Sequence, residues 1–460
     1  MRDLERLKVT AVVAAYIAIL LWAYVAVVSS TYEYMGYSMH WPEPVELIWM
    51  CLLAMIPAVF IPLRLQRPSL LSVWWLYITV YIPSIIVPGL NLTLASAKRL
   101  PFDIAMLLCL GFLTLITSAK TLSLRPLAIS PKKFWPVIYT VWGSCLIFVC
   151  VHFHFSSLLI NLGSLFMGGS EYTIRSDFFV ELSNAGRLLG YAAGQVAEAI
   201  DPFLIAYGLV QRRTTLIVVG VIGQLAIFTI VGSKSVFFSS AFLVIVFLLM
   251  KHFQRNFGVG LGLLLIAVIL LSAGADRLSN GISASSITTR RTLLEPGLLT
   301  GFYYEHYSQV PHAGLAYHLS QEGKDVPSPP YEIGLVYFGD VNIEANANLW
   351  AQGFADFGMP GIFCYTLLLS AILWLYDSLA ARQNLGLAIL IVAMQAFAYS
   401  NSPPMTVLIT HGGLATALLL WAAPSTDDRF VRFGAGSIQQ ITNQEFVPAI
   451  VKRVGLDGMR

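Results

Sequence analysis

Apolar stretches of about 20 residues alternate with short polar connectors along most of this chain, and a stretch of that length is what a helix needs to cross a bilayer. Twelve stretches qualify, at roughly 9–29, 46–63, 70–90, 102–118, 135–157, 187–211, 214–231, 235–251, 258–274, 352–376, 385–400 and 405–422. They predict an all-α, polytopic membrane protein of about 12 transmembrane helices. An even count puts both termini on one side. The first run follows MRDLERLK, is too long for a signal-peptide core and has no Ala-x-Ala site after it, so it is expected to be the first spanning helix.

Composition agrees with this pattern. Of 460 residues, 57% are hydrophobic and 12% charged, against about 25% charged in a soluble domain. Neither a soluble catalytic domain nor a nucleic-acid-binding face is expected. The five cysteines (Cys51, Cys109, Cys145, Cys150 and Cys364) all fall in apolar runs, which argues against a disulfide framework or a cysteine metal site.

The placement of basic residues orients the chain. With the N-terminus inside, 19 of the 28 Lys and Arg fall on inner segments, among them Arg64, Arg67, Lys120, Arg125, Arg212, Arg213, Lys251, Arg255 and Arg382. Most of the other nine cluster in or beside two long outer loops, at 156–186 and 275–350, or at the 231–235 turn. The tail from 423 to 460 is expected to be cytoplasmic. Inside the spans charge is nearly absent. Glu198 and Asp201 lie within the sixth span, near Pro202, where membrane depth makes them candidates for function or for a kink. No chain of buried carboxylates and histidines is visible, which weakens a proton-coupled transporter reading.

The outer loops hold the candidate chemistry. Arg175 is followed eleven positions later by Gly186, and Arg290 by Gly301. Guanidinium groups bind phosphate bidentately and stay protonated, so Arg175, Arg187, Arg290 and Arg291 could receive a diphosphate; the alternative is anchorage to lipid headgroups. Arg290 and Arg291 are adjacent, so on a helix only one faces a given pocket. Lys234, in the turn Gly232-Ser233-Lys234, adds a point charge or snorkels to headgroups. The stretch YYEHYSQVPH brings together Tyr303, Tyr304, His306 and His312. Its rings could stack on sugars or form an interfacial aromatic belt. Asn346 and Asn348, in NIEANANLWAQGFADFG, suit sugar hydroxyls or cap the next helix. His306 and Glu344 are the candidate bases. Residues 293–302 are apolar and suggest a short helix at the membrane surface. Asp356 lies close to the membrane plane. Acid pairs of the kind a divalent metal would want are missing from both long loops.

The two Arg-x10-Gly segments, the Gly-Ser-Lys turn at 232–234 and the Asn-rich stretch 342–348 followed by GFADFG resemble the O-antigen polymerase family, the Wzy-type oligosaccharide repeat-unit polymerases. The resemblance is diffuse over the whole chain, and O-antigen ligases share its class. It implies an inner-membrane glycosyltransferase of GT-C-like architecture with two large periplasmic loops. Such an enzyme joins undecaprenyl-diphosphate-linked oligosaccharides without metal, cofactor or nucleotide sugar. Arg175 and Arg290 become the family's loop arginines, stabilising the departing lipid diphosphate, while His306 or Glu344 takes the acceptor proton. A chain-length-regulating co-polymerase and a flippase are the partners implied. The alternatives are a ligase that transfers polymer to lipid A-core and a lipid-linked glycan transporter.

Overall fold

A computed structural model of the chain describes residues 2–91, 96–122, 124–127, 129–152, 187–279, 281, 283–314, 317 and 327–424. The described residues are helical, with no β-strand among them. Seven helical runs are long and apolar enough to cross a membrane: Asp3–Met35, Ser69–Asn91, Lys98–Ser118, Pro131–His152, Thr214–Val231, Lys234–Ser279 and Met359–Arg382. The 46 residues of Lys234–Ser279 exceed one crossing. They break at a single 3-10 turn, Gln254–Asn256, into two helices that pack on one another. These are the two runs expected at 235–251 and 258–274.

Three of the expected spans are corrected by interruptions. The run expected at 352–376 is two elements, α1 (Leu349–Phe357) and α2 (Met359–Leu379), separated at Gly358, whose φ is +66°. The two helices fold onto each other because Gly353 and Gly361 meet with no side chain between their backbones. The stretch at 385–400 is two short helices, α3 (Leu385–Ile391) and α4 (Ala393–Ala398), and 405–422 is α5 (Pro404–Ile409) and α6 (Gly413–Ala422). Pro403 and Pro404 withhold two backbone donors there, and Gly412 at φ +75° turns the chain between α5 and α6.

The helix Ser69–Asn91 is fully enclosed, and everything else is arranged around it. Its flanks are covered by protein, so most of its polar groups pair within the fold, Ser72 Oγ and Asn91 Nδ2 being exceptions. Tyr77 and Tyr81 donate to the carbonyls of Ala54 and Leu53 at 3.0 and 3.1 Å. Tyr16 donates to the carbonyl of Ile78 at 3.2 Å.

Loop contacts sort onto two faces. On the amino-terminal face Asn256 donates to Glu5 at 2.7 Å, the Leu65 amide to the Gln254 carbonyl at 3.2 Å, Trp421 to the Arg125 carbonyl at 2.8 Å, and Gln383 to the Ala423 carbonyl at 2.8 Å. On the opposite face the His40 amide donates to the Leu90 carbonyl at 2.7 Å, and Asp276 accepts from the amides of Ala284 and Ser285. Segments expected on a common side therefore touch.

The segment 293–302 was expected at the membrane surface and lies instead in the core. The helix Glu295–Tyr307 packs along the helix Ile82–Asn91. The approach is close because Gly297 sits directly on the Pro83 carbonyl. Thr300 shares a hydrogen bond of 2.9 Å with Ser84 and receives one of 2.7 Å from Asn348. Its apolar residues need a partner, and a surface position would have covered only one side of them.

The membrane interior also holds more charge than expected. Arg99 pairs with Asp103 at 3.2 Å, both fully buried. Asp377 accepts from the Ser69 amide and hydroxyl at 3.0 and 2.6 Å. Asp201 accepts from Trp142 at 2.7 Å. Asp103 is paired one helical turn away, whereas Asp377 and Asp201 found donors far away in sequence, which single-segment hydropathy cannot register.

A Cβ at position 297 would stand 2.3 Å from the Pro83 carbonyl oxygen. Gly297→Ala is expected to destabilise the protein by about 1–3 kcal/mol, the usual cost of overpacking a core. Thermal unfolding in detergent measures this, and an unchanged midpoint would show that the two helices can part freely.

Candidate functional site

Arg290 lies in a π-helical stretch, Ser286–Leu294, that runs without a break into the helix Glu295–Tyr307. Such wide turns recur at functional sites. Its side chain is only 14% exposed. Nε and Nη2 donate to the Ser286 hydroxyl at 3.3 and 3.2 Å, and Nη1 stands 3.6 Å from a Glu295 carboxylate oxygen. The guanidinium also sits over the Tyr32 ring, 4.9 Å from its centre. Burial pushes the Glu295 carboxyl above the usual carboxylate range, and Arg291 and Arg290 pull it back. Arg291 is exposed. Of the two adjacent arginines only Arg290 is thus held inward, oriented on three sides.

The other end of the same helix carries a second polar group. His306 Nε2 lies 2.8 Å from one oxygen of Glu332, and Tyr307 donates to the other at 2.8 Å. Burial, reinforced by the bond to Glu332, holds the Tyr307 proton on well above the ordinary tyrosine range. Glu332 is supplied by the helix Pro329–Phe338, so the Pro-rich stretch before it positions an acid against the histidine. A neutral His306 oriented this way is a competent proton acceptor.

Close by in sequence, the buried Asp356 gathers a third group. Tyr317 donates to Oδ1 at 3.1 Å, Tyr365 donates to Oδ2 at 2.5 Å, and Gln352 reaches both oxygens at 3.1 and 3.3 Å. Gln352 also donates to the Tyr317 hydroxyl at 3.2 Å. The amides of Ala313 and Gly314 bind the carbonyls of Ala355 and Asp356, which brings the chain near His312 against α1. His312 lies over Gly358 and meets the Phe354 ring edge-on at 5.4 Å.

Several expected sugar-binding residues have other work. Tyr303 is fully buried and donates to the Ala345 carbonyl at 2.9 Å, and Tyr304 donates to the Lys98 carbonyl at 2.5 Å. Asn348 caps α1 by accepting from the amides of Trp350 and Ala351, and it is fully buried. In all three the packing of the core uses the polar atoms of the side chain. Asn346 is exposed and donates to Glu344 at 3.3 Å, while Glu344 also accepts from Tyr331 at 2.5 Å. Lys234 opens the helix Lys234–Phe253. Arg175 lies outside the described residues, as does the side chain of Arg187.

Geometry also separates two expected partners. Sixteen positions divide Arg290 from His306, which on a continuous helix is roughly 20–24 Å. One reacting atom cannot touch both. Glu332, Tyr317, Tyr365 and Gln352 were not singled out from the sequence, and Asp356 was noted only for lying close to the membrane plane. Their only signals were a glutamate after a Pro-Pro pair and an aspartate inside GFADFG.

Comparison with known protein families, characterised proteins and solved structures finds no match for this chain.

The Asp356 cluster is expected to act as a coupled unit. In a double-mutant cycle of Asp356→Ala and Tyr365→Phe, read by thermal or denaturant unfolding, the coupling should be about 1–3 kcal/mol. Additive single effects would show that the two side chains stabilise the fold independently.

Proposed function

We propose that this protein polymerises undecaprenyl-diphosphate-linked oligosaccharide repeat units at the outer face of a bacterial inner membrane. On this reading the architecture is that of a GT-C-like glycosyltransferase with twelve crossings and both termini cytoplasmic. The observation that carries the proposal is one helical segment, 286–307, with an inward-held guanidinium at one end and an oriented His–Glu pair at the other.

The spacing supports a division of labour. A lipid-linked acceptor carries its diphosphate at one end and its reacting hydroxyl at the far sugar. With the diphosphate on Arg290, a short oligosaccharide spans the separation and presents that hydroxyl to His306. With Nε2–H held by Glu332, His306 Nδ1 takes the proton as the oxygen attacks the anomeric carbon of the donor glycan. The bond from that carbon to the donor's diphosphate breaks, and the lipid diphosphate leaves. Stabilising this leaving group falls to other basic residues of the same face, with Arg175 as first candidate and Lys234 as second. Asn346, Glu344 and His312 are the groups placed to hold sugar hydroxyls.

The test is a reconstitution with purified protein, lipid-diphosphate-linked repeat units and chelator. A ladder of longer lipid-linked glycans is the expected product. His306→Ala should lower kcat by about 10²–10⁴, the usual contribution of a general base. Arg290→Ala should mainly raise the acceptor KM. Transfer to added lipid A-core with no ladder would make the protein a ligase, and neither product from folded protein would overturn the reading.

A further inference from the structure

The break between α4 and α6 carries a second constellation, well separated from the segment 286–307 in the chain. Glu198 lies in a π-helical turn, Val196–Ile200, that interrupts the helices Arg187–Gln195 and Asp201–Gln211. His411 lies at the end of the broken pair, just before Gly412, and Ser402 lies just before Pro403. The structure brings these residues from three elements into one line. His411 Nδ1 is 2.9 Å from Glu198 Oε1, and His411 Nε2 is 3.3 Å from the Ser402 hydroxyl. With Nδ1 protonated toward the carboxylate, Nε2 is the acceptor for the serine proton. This is the order of contacts that activates a serine, and it is recognised by geometry rather than by chain order.

The support around it is specific. Gln395 donates at 3.1 Å to the carbonyls of both Glu198 and His411, tying the π-turn to the helix break. Gln195 donates to the Ile409 carbonyl at 3.2 Å. Ser400 is held by Trp75 at 2.7 Å, so the residues before Ser402 are fixed as well. A break that needed only its backbone groups satisfied would be served by the two glutamines. It gives no reason for a histidine that bridges an acid and a hydroxyl.

We infer that Ser402, His411 and Glu198 form a serine-nucleophile site that cleaves acyl esters of membrane lipids. Position argues for the substrate class. Gln383 and Ala423 pin both ends of the α3–α6 segment to the amino-terminal face, and the 14 residues 385–398 climb about 20 Å of a roughly 30 Å hydrocarbon layer. Ser402 is thus reached from the bilayer, past the exposed apolar Met405, Ile409 and Leu414. Asn401, exposed and with no hydrogen bond from its side chain to another described residue, supplies a donor beside the nucleophile for the developing oxyanion.

The reaction balances without a metal or redox partner. Ser402 Oγ bonds to the acyl carbon as its proton passes to His411 Nε2. The ester C–O bond breaks, and the departing alcohol takes that proton. Water, deprotonated by the same nitrogen, then releases the carboxylic acid and restores the serine.

An alkyl fluorophosphonate probe on the purified full chain tests this. Mass spectrometry should place the adduct on Ser402. Ser402→Ala should abolish labelling, and His411→Gln should slow it by on the order of a hundredfold. Glu198→Gln should slow it less. A p-nitrophenyl acyl ester should release one burst of p-nitrophenol per chain. If Ser402→Ala does not fold, the position of the wild-type adduct decides. No adduct on monodisperse wild-type protein, or an adduct elsewhere, overturns the inference. Glycan polymerisation is measured separately, so neither result bears on the other.

Discussion

Satisfaction of polar groups without water is the constraint on which this structure depends. In hydrocarbon each unpaired backbone or side-chain group costs several kcal/mol. The fully enclosed helix Ser69–Asn91 meets it most severely. Its tyrosines, Thr79 and Ser84 are paired across to neighbouring elements or back along the helix. Those bonds determine which neighbours can lie beside it and at what height. Because Ser84 needs a partner, Thr300 must stand opposite. Because Thr300 is there, Asn348 can cap α1 while donating to it. One polar contact thus fixes the helix of the large loop and the start of the next hairpin.

This explains how a segment that looks like a loop becomes a platform. The helix Glu295–Tyr307 is anchored by Gly297 against the Pro83 carbonyl and by Thr300 against Ser84. Arg290 and His306 therefore sit on backbone that packing holds still. A site that must place a charged lipid and a hydroxyl at fixed separation gains from rigid elements. The same logic applies to Glu332, which comes from a separate short helix but is locked by two donors, His306 and Tyr307.

Interruption is the second recurring device. The chain breaks its helices at Gly358, at Pro403–Pro404 and at Gly412, and widens them at 196–200 and 286–294. Polar clusters lie at or beside these points: Asp356 with two tyrosines, Glu198 with His411, and Arg290 with Glu295. A regular helix uses its own backbone groups and turns its side chains outward in a fixed stripe. A break frees groups and re-aims side chains inward, where a low dielectric strengthens their mutual interactions.

The sequence by itself determined the solvent and the coarse plan of this protein. Apolar run length demanded membrane-embedded helices, and the structure has seven helical runs long and apolar enough to cross a bilayer. It also anticipated that only one of Arg290 and Arg291 could turn inward. Tertiary structure alone decided the rest. Run length does not reveal a break when the residues after it remain apolar, so 352–376 and the last two spans looked continuous. Composition does not show where an apolar loop segment finds its partner, so 293–302 was assigned to the surface. Pairings such as Glu332 with His306, or Glu198 with His411 and Ser402, join residues tens to hundreds of positions apart. No local pattern records them, because they exist only once the helices have chosen their neighbours.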